Sequence, residues 1–179
     1  MKRHYFIGQF NWSDQAIECL DTEIIHQIKD VLKLKIGEEM VLCDGMGRAA
    51  ITILKQVNKK SLDFSVVSIL SAKKEDRRVV LYAALLKRDS FEWLLQKAVE
   101  VGVDEIVPLV SERTVKVGFN EKRWQKIIKE AAEQSQRHIV PILRPTQNFK
   151  ESLKVVKGGM LFFDPSGDHL NQIKIKDKY

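Results

Sequence analysis

Three short polar runs stand out because each follows an apolar run: Lys87-Arg88-Asp89, Ser111-Glu112-Arg113 and Asp164-Pro165-Ser166-Gly167. In α/β proteins, ligands bind beyond the carboxyl ends of buried strands. If the preceding apolar runs are such strands, these three clusters converge on one crevice. Taken singly, Arg88 and Arg113 need be no more than surface ion-pair partners, and Asp164 a helix cap or turn. A second cluster is spaced three or four residues apart: Lys126, Glu130, Glu133, Gln134 and Arg137. This spacing puts them on one helical face, opposite Trp124 and Ile128. Glu133 and Arg137 are in the favourable order for an intrahelical ion pair, worth only about 0.3–0.5 kcal/mol. Gln134 is not explained by that pair and could read a base edge or hold a phosphate.

Other chemistries lack their residues. There is no G-x-x-x-x-G-K-[ST] phosphate loop, and no G-x-G-x-x-G follows the apolar run at Val79. There is no G-x-S-x-G nucleophile either. The four histidines (His4, His26, His138 and His169) and two cysteines (Cys19 and Cys43) show no ligand spacing, so no metal site is expected. Two unpaired thiols fit a reducing compartment, and a cytoplasmic location is expected. The basic start Met1-Lys2-Arg3 has no signal-length apolar segment behind it. No apolar run approaches the ~20 residues that span a bilayer.

The elements that must position these residues divide into two groups. Tyr5-Phe6-Ile7 reads as a strand ended by Gly8. Ile24, Ile25, Ile28, Val31 and Leu32 mark a helix over about Asp21 to Leu34, capped by Asp21 or Thr22. Met40–Cys43, Arg48–Lys55 and Leu62–Leu70 read as strands, with Asp44-Gly45-Met46-Gly47 as a tight hairpin turn. Short strands with tight turns suggest a small barrel. The charged run Ser71–Arg78 marks a boundary, giving expected domains 1–72 and 73–179.

Beyond that boundary, Val79–Leu86 reads as a strand buried on both faces. A helix follows, capped by Asp89 with Glu92 reaching back. Its apolar face is Phe91, Leu94, Leu95, Ala98 and Val101, and Gly102 stops it. Ile106–Val110 is the next strand. A helix from Asn120 or Glu121 buries Trp124, Ile127, Ile128 and Ala131, and Pro141 and Pro145 mark an exit loop. Met160–Phe163 reads as a third strand. Strand, helix, strand, helix, strand is the pattern of a parallel sheet covered by helices.

Charge is uneven. The chain carries a net +6, yet residues 1–70 hold nine basic and nine acidic groups, while residues 111–150 hold nine basic against four acidic. Such a stripe suits a polyanion. Arg113, Lys116, Arg123, Lys126 and Arg137 are the candidate nucleic-acid contacts.

Two long stretches carry a family resemblance. Leu86-Lys87-Arg88-Asp89-Ser90-Phe91-Glu92-Trp93 through Gly102-Val103 resembles the signature of RsmE-type 16S ribosomal RNA methyltransferases. So does Arg123-Trp124-Gln125-Lys126 through Glu133-Gln134-Ser135-Gln136-Arg137, followed by Pro141. Pro108–Arg113 fits between them in order, and His26, Gly37 and Asp44–Gly47 resemble the family's small N-terminal barrel.

The resemblance implies an α/β fold with a PUA-like RNA-binding β-barrel, followed by a SPOUT parallel-sheet domain. It also implies a homodimer, and transfer of a methyl group from S-adenosylmethionine to N3 of a uridine in 16S rRNA. The family's Gly-Pro-Glu-Gly-Gly loop and later leucine-arginine loop, both part of its C-terminal trefoil knot, are not in this sequence. The chain is therefore expected to be truncated before the cofactor loops and inactive alone. Phe163, Asp164, Pro165 and Gly167 lie where the family places a cofactor-lining loop. Methylating N3 requires loss of a weakly acidic proton, so cationic or amide donors must stabilise the anion and a carboxylate or water must take the proton. Arg88, Glu112, Arg113, Glu133, Gln134 and Arg137 are the candidates, with roles unassigned. A paired base is out of reach of such a site, so the target is expected to be unpaired or flipped. A non-catalytic RNA-binding protein that keeps the barrel and basic helix is the alternative.

Overall fold

The computed structural model describes residues 3–71, 77–112, 114, 120–155, 159–163 and 166–167. The first part is a mixed six-stranded sheet curled into a half-barrel, built from β1 (His4–Ile7), β2 (Phe10–Trp12), β3 (Ala16–Cys19), β4 (Glu39–Cys43), β5 (Arg48–Val57) and β6 (Leu62–Ser71). Its order is β1-β4-β5-β6-β3-β2, with β1 parallel to β4 and the other pairs antiparallel. Helix α1 (Thr22–His26) starts where expected, with Asp21 Oδ1 accepting from the backbone N–H of Glu23 and Ile24. It does not stay α-helical to Leu34. The chain widens into a π-turn at Gln27–Val31, and Lys33 at φ 53° ends it. A residue in the left-handed region cannot continue a right-handed helix.

The second part is a parallel sheet of β7 (Val80–Ala84), β8 (Glu105–Val110), β9 (Ile142–Leu143) and β10 (Gln147–Asn148), with helices α2 (Arg88–Glu100), α3 (Glu121–Gln134) and α4 (Phe149–Val155). β8 is central and nearly all buried. β9 pairs with its beginning and β10 with its end, so the two are halves of one strand interrupted around Pro145. Proline has no N–H to give to the ladder, which accounts for the break.

Several expectations need correction. The third strand is this broken one, in the segment expected to be an exit loop. Met160–Phe163 forms no strand, and its four apolar side chains are exposed. A parallel strand needs a neighbour's ladder and cover on both faces, and that segment has neither among the described residues. Among the described residues β7 is an edge strand, paired with β8 alone, and it is half-buried rather than covered on both sides; Val79 and Leu86 are exposed. Helix α2 begins two residues early, with Lys87 at the cap position and no side-chain cap. Asp89 therefore lies in the first turn, and Glu92 turns to Arg123 instead of back to the helix start. Val101 is exposed, because α2 has ended; Val99 and Val103 are buried in its place.

One core cluster joins the two parts, running from Ile7, Val41 and Cys43 to Phe91, Leu95 and Trp124. A second fills the half-barrel around Phe6, Ile17, Leu42 and Phe64. The loop after α3 also adds itself to the barrel. Gly47 N–H donates to His138 O at 2.9 Å, and Val140 N–H to Gly45 O at 2.8 Å. Gly45 is required there. It sits at φ +74°, and a Cβ would lie 3.0 Å from Val140 Cγ2 and 3.1 Å from Ile7 Cγ2.

Candidate functional site

Register sets the geometry at the carboxyl end of the parallel sheet. Ala84 of β7 lies beside Leu109 of β8, and Val110 beside Asn148 of β10. Lys87-Arg88-Asp89 and Ser111-Glu112 therefore leave the sheet at the same end, as the apolar runs implied. The third member of this rim is different from the one expected. β10 runs directly into α4, and Lys150 there places Nζ 2.7 Å from Glu112 Oε1. Glu112 and Lys150 are both largely exposed, so this is a solvent-screened pair. Sequence reading counted Lys150 only as part of the basic stripe; the signal that could have found it is the Gln147-Asn148 pair between Pro145 and the next helix.

The remaining candidates are dispersed. Arg137 lies at the opposite end of the sheet, where Nη1 donates to Val99 O at 3.1 Å and Val103 O at 2.7 Å. Val99 O lies in the last turn of α2, where carbonyls lack an intrahelical partner, and also accepts from Gly102 N–H at 3.1 Å, whereas Val103 O belongs to the loop before β8. Glu133 is turned toward the barrel, and its Oε1 accepts from Ile7 N–H at 2.8 Å. Because α3 ends at Gln134 and Gln136 takes φ 57°, Glu133 and Arg137 are no longer one helical turn apart; Glu133 binds backbone instead, and Arg137 binds backbone carbonyls and lies 3.6 Å from Asp104 Oδ1. Gln134 is exposed. Arg123 chelates Glu92 at 2.5 and 2.7 Å, tying α3 to α2. Lys126 is exposed, with Nζ 3.3 Å from Glu23 and 4.0 Å from Glu130. Arg88 begins α2, but its side chain lies outside those described. Arg113, Lys116, Asp164 and Pro165 lie outside the described residues. Phe163 is 79% exposed and Gly167 is exposed, so the described part of this loop does not enclose a cofactor.

Two clefts flank α2. One, of about 760 Å³, is mainly apolar and lies between α2 and edge strand β7, lined by Leu81, Leu86, Leu94 and Val101 among others. The other, of about 540 Å³, is polar and lies between α2, α3 and the π-turn of the barrel; Gln27, Trp93, Gln96 and Gln134 line it. Sequence reading missed Gln27, Trp93 and Gln96. Trp93 and Gln96 are spaced i, i+3 on the side of α2 away from Phe91 and Leu95, and that spacing was the available signal.

Both cysteines are buried and free. Burial pushes the Cys19 thiol up to about 11 and also raises Cys43, so neither is a ready nucleophile. Burial likewise raises the Glu133 carboxyl, against the opposing pull of the Ile7 N–H and Lys129. A carboxyl raised in the folded state contributes stability that is full below its unfolded pKa and is lost as pH rises through the folded value. Glu133→Gln is therefore expected to flatten the stability profile from the ordinary carboxylate range upward. It should be at least as stable as the parent at neutral pH, because the amide oxygen can still accept from Ile7. Urea unfolding across that window measures it; identical pH slopes in both proteins would show that Glu133 does not titrate anomalously.

A curled mixed sheet joined through one core to a helix-covered parallel sheet, with charged groups at its strand ends, defines a two-part α/β protein. A model of the RNA methyltransferase domain matches residues 73–177, and a model of the RNA methyltransferase PUA domain matches residues 20–67. The chain belongs to this RNA methyltransferase family. It is 31% identical over 139 residues to the ribosomal RNA small subunit methyltransferase E of Bacillus subtilis, covering 74% of this chain and 54% of that protein. It is 25% identical over 160 residues to the protein of the same name from Rickettsia conorii, covering 89% and 66%. The crystal structure of the Neisseria gonorrhoeae ribosomal RNA small subunit methyltransferase E bound to S-adenosyl methionine is similar at TM-score 0.77 and 28% identity, covering 87% of this chain and 66% of that one. The chain thus spans between about half and two thirds of the length of these relatives.

Proposed function

We propose that this chain is the RNA-binding and leading methyltransferase portion of a small-subunit ribosomal RNA methyltransferase, which transfers a methyl group from S-adenosylmethionine to N3 of a uridine in 16S rRNA. The observation that carries this reading is the family match over residues 73–177, on a parallel sheet whose charged rim lies where α/β proteins bind ligands. We take residues 1–72 as the RNA-binding barrel and 73–179 as the methyltransferase part, working as a homodimer in the complete protein. Arg88 and Glu112 on the strand-end rim are the preferred reacting-site candidates, with Arg113 beside them in sequence. A guanidinium there would stabilise the anion that develops as the uridine N3 proton leaves, and a carboxylate would help remove that proton. Glu133 and Arg137, with their backbone partners, support the site from the sheet's other end and the barrel seam. Phe163 and Gly167 would line the donor's pocket only with further cover.

The test is methyl transfer from labelled S-adenosylmethionine to 16S rRNA, with donor binding followed by calorimetry, on this chain and on any longer product of its gene. Methylation at uridine N3 by the longer product, with weak or no donor binding by residues 1–179, is the expected result. RNA binding with no donor binding by either form would overturn it in favour of a non-catalytic RNA-binding protein.

A further inference from the structure

The polar cleft between the barrel and the two long helices has an unusual set of walls. Gln27 comes from the π-turn of the barrel, Trp93 and Gln96 from α2, and Gln134 from α3. Trp93 is 64% exposed, although it stands on a helix whose other large side chains Phe91 and Leu95 are buried. A single exposed tryptophan needs no explanation. Here, however, three carboxamides from three separate elements line the same cleft, and each amide presents both a donor and an acceptor.

The acidic groups nearby have partners of their own. Glu92 is chelated by Arg123, Glu133 is turned to the Ile7 N–H, and the exposed Glu130 lies 4.0 Å from Lys126 Nζ. Lys126, just over two turns before Gln134 on α3, is an exposed cation next to Glu130 of the cleft wall, solvent-screened in its contacts with Glu23 and Glu130. At about 540 Å³ the cleft is within the ordinary range for small-ligand sites, ~300–1,000 Å³. An aromatic face, edge-reading amides and a flanking cation are the groups by which proteins take up unpaired RNA bases: stacking supplies affinity and amides read the base edge.

We propose that this cleft holds one unpaired nucleobase of the bound RNA, stacked on Trp93 and read along its edge by Gln27, Gln96 and Gln134. The inference rests on the RNA-binding reading above and adds a subsite away from the strand-end rim. Because Gln27 belongs to the barrel and the other three to the methyltransferase helices, the base is gripped by both parts at once. Bound RNA would then be registered against the pair of them as a unit.

The probes are fluorescein-labelled hexauridylate and hexaadenylate, alongside a hexamer with one abasic position, bound to the whole chain and followed by anisotropy. Trp93→Ala is expected to weaken binding about 5- to 150-fold. Trp93→Phe should retain most of it, and the abasic probe should be less sensitive to the alanine change. Gln134→Leu should alter the ratio of uridine to adenine binding. Lys126→Ala, by contrast, should weaken both probes alike and lower the salt slope by about one. Trp93 and Gln134 are exposed, so unchanged melting temperatures confirm that the variants fold. If Trp93→Ala binds as the parent does while salt and Lys126→Ala still weaken binding, the subsite is overturned and the RNA reading stands. If the parent chain binds none of the probes at any salt concentration, both fall together.

Discussion

Phe91→Ala is expected to cost about 3–5 kcal/mol of folding stability, the range for removing a fully buried aromatic ring. Phe91 is 1% exposed, and its ring centroid lies 4.8 Å from that of Trp124, tilted by 54°. It belongs to the cluster that also holds Ile7 and Val41 of the half-barrel. The lost ring would leave a cavity that packed neighbours on α2, α3 and the sheet can fill only partly. Urea unfolding followed by circular dichroism measures the cost, and Phe91→Leu should cost clearly less. Since the core is shared, the parent should unfold in one transition. A loss below about 1 kcal/mol for Phe91→Ala, against the range above, would mean that the α2–α3 contact is looser than drawn. Two separate transitions would mean that the half-barrel and the parallel sheet do not share a core.

The second large effect is electrostatic. Glu105 opens β8 and is 5% exposed, a buried carboxylate held by Arg144 through two hydrogen bonds of 3.0 and 2.8 Å and by Arg78. Removing one partner of a buried ion pair strands a desolvated charge, which costs about 3–5 kcal/mol when no other partner remains. Arg78 remains here, so Arg144→Ala is expected to cost about 2–3 kcal/mol. The double replacement Arg144→Ala with Glu105→Leu should recover much of that, because it removes the stranded charge along with its partner. Chemical denaturation of both variants tests this. Equal losses in the single and double variants would show that packing by the Arg144 stem, rather than the charge on Glu105, carries the effect.

The sequence determined the local elements well where one strong signal acted alone. The Asp21 cap, the Asp44–Gly47 hairpin, and the buried faces Phe91/Leu95/Ala98 and Trp124/Ile128/Ala131 are where periodicity and turn chemistry put them. Each of these depends on backbone sterics or on burying one helical stripe, and both are written within a dozen residues. The strand-to-crevice logic placed Glu112 and the start of α2 at one end of the sheet for the same reason. The family signature in α2 and α3 was legible too, because it consists of residue types in order.

Tertiary structure alone decided which strand is central and what the polar residues of α3 do. An apolar run such as Val79–Leu86 reads identically at a sheet's centre and at its edge, since the difference lies in the neighbours it finds. Met160–Phe163 looks like a strand for the same reason, while Ile142–Leu143 and Gln147–Asn148, split around Pro145, do not. Glu133 and Arg137 read as an ion pair at helical spacing, yet α3 ends between them. Their polar atoms go to backbone groups that sequence separation hides: Ile7 for one, Val99 and Val103 for the other. The grouping of Gln27 with Trp93, Gln96 and Gln134 was equally out of reach, because residues more than a hundred positions apart meet only once the barrel has packed against the helices.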